Sequence, residues 1–169
     1  ALQGFCGIQF PAPISYEGST LVRFSRVSED LYRGSRPETD EDFGRLKREG
    51  IQTIVSLEID PFNFIPEKRK AHRYKINFKQ ALIEGSSIEP SDESVNRALK
   101  ILTDPKTPRP IYVHCAYGRD RTSLVVGVYR MIYENCDRDR TYREMKDEFG
   151  FSEAFHLIGL KHYFDERFP

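Results

Sequence analysis

The most informative stretch of this chain is IYVHCAYGRDRTS, residues 111–123. Its first five residues are almost entirely apolar and predict a short buried strand, and LVVGVYRMIY, residues 124–133, predicts a buried helix. In the connection, five residues that include Gly118 separate Cys115 from Arg121. A loop of this length at a helix N-terminus can turn its backbone N–H groups towards one phosphate-sized anion. The stretch therefore predicts an anion site that carries a thiol.

The residue types in this loop suit phosphoryl chemistry. The positive end of a helix lowers a cysteine pKa from ~8.5 toward ~5, so we expect Cys115 to be a thiolate near neutral pH. Arg121 can donate two parallel hydrogen bonds to phosphate oxygens, Gly118 permits a tight turn, and the Thr122 hydroxyl can donate to sulfur. An ordinary buried cysteine is the alternative, and the spacing favours a reactive one. The predicted phosphate-binding residues are Ala116, Tyr117, Gly118, Arg119, Asp120 and Arg121.

The run His-Cys-Ala-Tyr-Gly-Arg-Asp-Arg-Thr, residues 114–122, resembles the HCxxGxxR(S/T) signature of the cysteine-dependent protein tyrosine phosphatase superfamily. A weaker resemblance to its compact dual-specificity type, including the branch directed at inositol phosphates and phosphoinositides, extends over about residues 20–150. Rhodanese-type sulfur transferases also place a cysteine loop after a strand, but their ring is usually one residue shorter. The resemblance implies a phosphatase, with a phosphate-binding module that lacks turnover as the less favoured alternative.

The resemblance also implies a mechanism in two steps. The Cys115 thiolate attacks phosphorus while an acid protonates the leaving oxygen, and water then hydrolyses the phosphocysteine. Because Arg121 and the loop amides neutralise the developing charge, neither a metal nor a cofactor is expected. His114 is expected to support the loop through a hydrogen bond from its ring to the backbone, with a plain core histidine as the alternative.

The sequence leaves the identity of the general acid open. Many relatives carry an aspartate in a Trp-Pro-Asp motif before the corresponding helix, but this chain has no Trp and no aspartate at that place in residues 83–92. Asp120 is the favoured candidate, because lipid phosphatases with a similar loop have an aspartate there that is a proposed acid. Glu84 is the alternative acid, Glu89 is also available, and Asp92 fits the first turn of a helix better.

Charge near the loop bears on the substrate. Arg119 adds a second cation to the loop, and KRKAHRYK, residues 68–75, is a dense basic run. Both features favour an inositol polyphosphate or an inositol lipid head group, whereas a solvated helix face is the alternative explanation for the run. Tyr117 can stack on a ring or shape the loop. A phosphotyrosine or dual-specificity protein phosphatase is the alternative function, so the expected partner is a phosphorylated small molecule, a lipid head group or a phosphoprotein.

The order of predicted elements indicates an α/β domain. Strands are predicted at residues 21–27, 31–37, 51–58, 76–83 and 111–115. Predicted helices alternate with them and then dominate the C-terminal part, which favours a central, mostly parallel sheet flanked by helices. Residues 60–66 contain two prolines and predict a loop before a short helix at 66–75. Residues 1–19 are expected to be an extended lead-in packed through Phe5, Ile8 and Phe10, and residues 20–169 the catalytic domain.

Composition and cysteine spacing restrict the possible partners, membrane insertion and metal binding. The 169 residues contain 26 basic and 26 acidic side chains, so no nucleic-acid partner is expected from charge, and no apolar run is long enough to span a bilayer. The spacing of Cys6, Cys115 and Cys136 predicts neither a disulfide framework nor a zinc site, and we expect Cys6 and Cys136 to be ordinary structural cysteines. A free catalytic thiol favours a cytoplasmic location, while export stays open because the chain begins at Ala1. Nothing in the sequence indicates an oligomeric state.

Overall fold

Five strands form one sheet in the computed structural model, which describes Cys6, Phe10, residues 17–85 and residues 87–169. The strands lie in the order β1-β2-β5-β3-β4, with β1 antiparallel to β2 and all other pairs parallel. They are β1 Ser25–Ser28, β2 Leu31–Ser35, β3 Thr53–Ser56, β4 Asn77–Gln80 and β5 Ile111–Cys115. The predicted mostly parallel sheet is confirmed, β5 has its predicted bounds, and the other four strands are shorter than the sequence suggested.

The parallel pairing brings the loops after three strands to one edge of the sheet. Ser35, the last residue of β2, pairs with Cys115, and Ser56, the last residue of β3, pairs with His114. Because ligand sites of α/β sheets lie at the carboxyl ends of the strands, this register places the loop after Cys115 where such a site is expected.

Helices surround the sheet, and the predicted helical C-terminal part is confirmed. The helix α1 begins with a capping box between Thr39 and Asp42, and α3 begins with the Ser91 side chain accepting from the Ser94 N–H, as an N-cap does. A π-helical turn at Glu144–Glu148 and a 3₁₀ turn at Phe155–Leu157 lie between the last two helices. The helices are α1 Asp40–Arg48, α2 Pro61–Arg73, α3 Asp92–Thr103, α4 Arg121–Tyr133, α5 Arg138–Arg143 and α6 Ile158–Arg167.

Alternate residues of the strands face two separate cores, as the pleat of a strand requires. In β3, Ile54 belongs to one core and Val55 to the other. The larger core joins the sheet to α3, α4 and α6, and its members include Val55, Val95, Val113, Leu124 and Phe164. The smaller core joins the sheet to α1 and α2, and its members include Phe43, Leu46, Ile54, Ala71 and Tyr112. Helices therefore cover both faces of the sheet.

The start of α2 differs from the sequence prediction. The helix begins at Pro61, whereas the sequence predicted a loop over residues 60–66. The Asp60 side chain accepts a hydrogen bond from the Phe62 N–H at 2.9 Å and caps the helix. Pro61 occupies a first-turn position where its missing N–H costs nothing, and Pro66 lies inside the helix. The loop prediction was wrong because it counted both prolines as breakers without considering their position.

A disulfide joins Cys6 to Cys136 across 130 residues, with their Cα atoms 5.3 Å apart. The expectation of two ordinary structural cysteines without a disulfide framework was wrong for this pair, because sequence spacing does not report a contact between such distant residues. Cys115 is the free cysteine. Since disulfides are typical of oxidising compartments, the cysteine count gives no support for a cytoplasmic location.

The N-terminal lead-in is described only in part. The Phe10 ring lies 4.4 Å from the Arg26 guanidinium, while Phe5 and Ile8 are outside the described residues. The division at residues 19 and 20 stays a prediction. Among the described residues, no helix is both long enough and apolar enough to cross a bilayer.

Candidate active site

The loop between β5 and α4 packs directly against the end of β2. Gly118 has a φ of +66°, and a Cβ atom there would lie 2.4 Å from the Gly34 carbonyl carbon, so only glycine fits this close approach. The Arg36 N–H donates to the Ala116 carbonyl at 3.2 Å and fixes the other side of the loop. Two neighbouring segments thus hold the backbone between Cys115 and α4 in a tight turn.

Arg33 is a buried support of this loop that the sequence interpretation did not single out. It lies in β2 with 1% of its surface exposed, and its guanidinium donates to the Gly118 carbonyl at 3.0 Å and to Ser123 Oγ at 2.7 Å. The Phe149 ring lies 3.5 Å from the guanidinium carbon. The available signal was an arginine inside an otherwise apolar strand, because a buried charge requires specific partners.

The Cys115 thiol is buried at the end of β5, and its surroundings favour the thiolate. Burial alone would raise the pKa of Cys115, but hydrogen bonds from the Thr122 side chain and N–H and the charges of Arg121 and His114 lower it. Thr122 Oγ1 is buried, and its interaction with the Cys115 sulfur is among those that lower the thiol pKa. The environment therefore stabilises a nucleophilic form of sulfur.

Arg121 is the first residue of α4 and shares the loop with Cys115. Within the part of the chain that the structure describes, no carboxylate forms an ion pair with its guanidinium. A Cβ atom on Gly85 would lie 2.6 Å from Arg121 Cδ, so the loop after β4 packs tightly on the arginine stem. The head group is held near the sulfur while its donors stay available for an anion.

His114 connects the loop to a buried network of charged side chains. Its Nδ1 lies 3.1 Å from the Cys115 carbonyl oxygen. Its Nε2 lies 2.5 Å from Glu67 Oε1, and both side chains are at most 1% exposed. Glu67 is on α2, far away in sequence, and the sequence interpretation missed it.

The same network contains potential metal donors. Among the described residues, Glu58, Glu67 and His114 bring such atoms within 4.8 Å of one another. The Arg36 guanidinium already contacts Glu58 at 2.6 Å, and the imidazole of His114 contacts Glu67. Because each carboxylate faces one basic side chain, the cluster is a balanced charge network, and we assign no metal to it.

Two arginines and a tyrosine form the rim of the loop. Tyr117 is 65% exposed, and its carbonyl accepts a hydrogen bond from Arg23 Nη1 at 3.1 Å. The Arg119 guanidinium lies 5.9 Å from the centre of the Tyr117 ring. An anionic group that extends beyond the loop would therefore meet positive charge and an aromatic face.

Asp120 holds the loop in place in this structure. Its Oδ2 accepts from Arg119 Nε at 2.9 Å, and its Oδ1 accepts from the Ser152 N–H at 2.8 Å. The residue is 7% exposed and makes no capping hydrogen bond to α4. Asp120 thus lies in the loop where the sequence placed it, with both carboxylate oxygens already engaged.

The other candidate acids, Glu84, Glu89 and Asp92, interact with side chains outside the loop. Glu84 accepts from Ser94 Oγ at 2.9 Å, and although burial opposes the charge, hydrogen bonds from backbone N–H groups and Ser94 lower the pKa of Glu84. An acid with a lowered pKa is ionised at neutral pH and donates no proton. Arg167 on α6 lies 3.6 Å from Glu89 and 3.0 Å from Asp92, so both of these carboxylates pair with the C-terminal helix.

The basic run of residues 68–75 lies mostly away from the loop. Lys68 and Arg69 line an open groove of about 980 Å³ together with Asn77, at the amino end of β4. Through β3, Asn77 is in register with Ile111, four residues before Cys115 and therefore roughly 13 Å away along the strand direction. Lys70 lines the same groove, and its Nζ donates to the Glu38 carbonyl at 2.5 Å in the segment after β2.

A strand, a cysteine, a five-residue anion loop and an arginine at a helix start define a cysteine-dependent phosphatase on an α/β sheet. Residues 20–139 match the model of the tyrosine phosphatase family. The chain belongs to the tyrosine phosphatase family, and the resemblance inferred from residues 114–122 is confirmed.

Individual relatives support the same assignment. Inositol diphosphatase DSP3 of Arabidopsis thaliana is 29% identical over 151 residues, which cover 82% of this chain and 72% of the relative. Dual specificity protein phosphatase TpbA of Pseudomonas aeruginosa is 24% identical over 125 residues, which cover 74% of this chain and 54% of the relative. The core catalytic domain of the PP-IP phosphatase SIW14 from S. cerevisiae, solved with citrate, has a TM-score of 0.69 and 25% identity, covering 84% of this chain and 83% of that one. The chain is thus a phosphatase that spans about half to three quarters of its curated relatives.

Proposed function

We propose that this phosphatase uses Cys115 as its nucleophile and passes through a phosphocysteine intermediate. The observation that carries the proposal is the buried free thiol with a lowered pKa, in the same short loop as the arginine at the start of α4. In the first step the sulfur attacks phosphorus, the bond from phosphorus to the leaving oxygen breaks, and that oxygen receives a proton. In the second step a water oxygen attacks phosphorus, the sulfur–phosphorus bond breaks, and the thiolate and inorganic phosphate are released.

The loop supplies the electrostatic part of catalysis. Its backbone N–H groups and the dipole of α4 face the phosphoryl oxygens, and the Arg121 fork binds two of them. Thr122 stabilises the sulfur anion, which also makes it a better leaving group in the second step. Arg33 and Gly118 keep the loop in this conformation before substrate arrives, so little reorganisation is needed during the reaction.

Asp120 is our candidate for the general acid, and its assistance is limited by its partners. Both of its oxygens already accept hydrogen bonds, from Arg119 and Ser152, so a proton on this carboxyl group has to occupy one of the remaining lone pairs beside these donors. Substrates whose leaving groups depart with little protonation are then favoured. A phosphate leaving group, with a second pKa of about 6, and a phenol, with a pKa of about 10, fit this condition better than an alkoxide.

This argument favours a particular substrate class. We propose that the substrate is a diphosphorylated inositol polyphosphate whose terminal phosphoryl group enters the loop, in line with the named activities of DSP3 and SIW14. The leaving group is then a phosphate on the inositol ring, and the charges of Arg23 and Arg119, which lie beside Tyr117 on the rim, would attract the remaining phosphates. Phosphotyrosine is the second candidate, favoured by the exposed Tyr117 ring beside the loop and by the named activity of TpbA.

A phosphate-release panel tests the substrate class. It compares a diphosphoinositol polyphosphate, an inositol polyphosphate without the anhydride, a phosphotyrosine peptide, a phosphoserine peptide and phosphoinositide vesicles. We expect kcat/KM to follow leaving-group basicity, with the anhydride first, phosphotyrosine next and the alkyl monoesters last. A phosphoserine peptide or a phosphoinositide that exceeds the anhydride would contradict the proposal.

The role of Asp120 has its own test. We expect Asp120→Asn to slow alkyl phosphates far more than aryl phosphates, because a nitrophenolate departs unprotonated whereas an alkoxide must be protonated in the transition state. Glu84→Gln is the matched control and should have little effect, since Glu84 is already ionised. The measurement is kcat/KM for one alkyl and one aryl phosphate in each variant. If Glu84→Gln showed the larger selective loss, the acid would be assigned to the loop after β4.

A further inference from the structure

Glu67 is a buried carboxylate that the proposed mechanism does not use. It lies on α2, on the opposite side of the network from the phosphate loop, and 3% of the residue is exposed. Its Oε1 is 2.5 Å from His114 Nε2, and its Oε2 is buried with no hydrogen-bond partner among the described residues. Burying a carboxylate is costly, so this glutamate is expected to have a specific role beside the histidine.

The contacts of the His114 ring define its proton content. Nδ1 lies 3.1 Å from the Cys115 carbonyl oxygen, which can only accept, so Nδ1 carries a hydrogen. Nε2 faces the Glu67 carboxylate, which also accepts when it is ionised. Burial raises the pKa of Glu67, and the charge of His114 and its hydrogen bond oppose that rise. A ring that donates from both nitrogens is an imidazolium. Burial opposes this charge, but the Glu67 carboxylate outweighs it and raises the pKa of His114.

Glu58, the other carboxylate near the ring, has a basic partner of its own and raises the pKa of His114 less than Glu67 does. Glu58, which follows β3, contacts the Arg36 guanidinium from the segment after β2 at 2.6 Å, and Glu38 also pairs with Arg36. From β5 itself, Tyr112 stacks on the ring with centroids 5.7 Å apart, and its phenol stays neutral because burial raises its pKa. On the opposite side lies Cys115, next to Arg121 and Thr122 of α4. Glu67 is therefore the carboxylate that directly balances the histidine.

We propose that Glu67 is a positioning residue that fixes the His114 ring and holds it as an imidazolium next to Cys115, so that the thiolate is favoured. The positive charge of the ion pair is on the residue adjacent to Cys115 in the chain, and its negative charge is on α2. Glu67 acts through His114 and touches neither sulfur nor substrate. This inference rests on the proposed role of Cys115, and it adds α2 to the parts of the fold that tune the nucleophile.

Thiol alkylation tests the proposal without depending on turnover. The rate of Cys115 modification by iodoacetamide is measured from about pH 4 to about pH 9, because only the thiolate reacts. In Glu67→Gln, which keeps the size of the side chain and removes its charge, we expect the midpoint to rise by about one pH unit, a tenfold loss of thiolate below the midpoint. Glu58→Gln is the matched control: it removes a buried carboxylate of the same network, and the midpoint should stay close to that of the parent.

Two further variants separate positioning from general damage to the fold. Glu67→Asp restores the charge and should return the midpoint towards the parent value, whereas a packing defect would not be rescued by a shorter side chain. In a His114→Asn background, Glu67→Gln should cause no additional rise, because the residue through which it acts is absent. If Glu67→Gln does not fold, Glu67→Asp and His114→Asn still test the proposal. It requires an alkylation midpoint close to that of the parent in Glu67→Asp and a raised midpoint in His114→Asn.

An unchanged midpoint in Glu67→Gln, or equal shifts in the Glu58 and Glu67 variants, would overturn the proposal. Additive shifts of the midpoint in the variant that combines Glu67→Gln with His114→Asn would also overturn it. Failure of the proposed nucleophile would look different: Cys115→Ser would keep its phosphatase turnover while the alkylation midpoints of the other variants remained interpretable.

Discussion

Cys115→Ser is expected to abolish phosphate release from a chromogenic aryl phosphate. A serine hydroxyl does not ionise near neutral pH, whereas the surroundings of Cys115 lower the pKa of the thiol that it replaces. The substitution is nearly isosteric, so the loop should still bind inorganic phosphate through its backbone N–H groups and Arg121. The measurements are turnover and phosphate binding in the same preparation.

A matched control uses another cysteine of the chain. Cys136→Ser removes the disulfide to Cys6 but leaves the loop intact. We expect it to lower the thermal midpoint and to retain turnover at temperatures where the chain is folded. Substantial residual turnover in Cys115→Ser would rule out the covalent mechanism.

Arg121→Lys is expected to lower kcat/KM by at least ~100-fold, as for the loss of a transition-state donor. Lysine keeps the positive charge, but its ammonium group cannot form the two parallel hydrogen bonds of the guanidinium fork. The structure adds a second reason, because Gly85 packs on the Arg121 stem and fixes the direction of the head group. Turnover of an aryl phosphate, measured as separate kcat and KM values, checks the expectation.

The control for this variant is Arg140→Lys, on the exposed part of α5, which should leave both constants unchanged. Near-parent activity in Arg121→Lys would mean that charge alone is sufficient at this position.

Much of the fold follows from local sequence patterns. The strand before Cys115 and the helix after Arg121 are predicted by short-range hydrophobic patterns, and the N-cap of α3 is formed by Ser91 and a residue of the same segment, Ser94. The parallel sheet follows from the alternation of strands and helices. Local signals were insufficient at α2, where the effect of Pro61 depends on its position relative to the Asp60 cap.

The parts of the site that the sequence did not reveal depend on contacts between distant segments. Glu67 meets His114 across 47 positions, Arg33 meets Gly118 across 85, and Cys6 meets Cys136 across 130. Apart from Arg33, which is a charged residue inside a buried strand, each partner looks ordinary in its own segment, and only the packing of the sheet and helices brings the pairs together. The general acid is a related case, because hydrogen bonds made in the folded chain determine how available the Asp120 and Glu84 carboxylates are.

The most direct test of the central claim is to trap the covalent intermediate. The enzyme is mixed with an aryl phosphate, quenched in acid within the first turnover, digested and examined by mass spectrometry. We expect one phosphoryl group on the peptide that contains Cys115, together with a burst of about one phenolate per chain before steady turnover. Steady turnover with no phosphoryl group on Cys115, or with the group on another residue, would contradict the account.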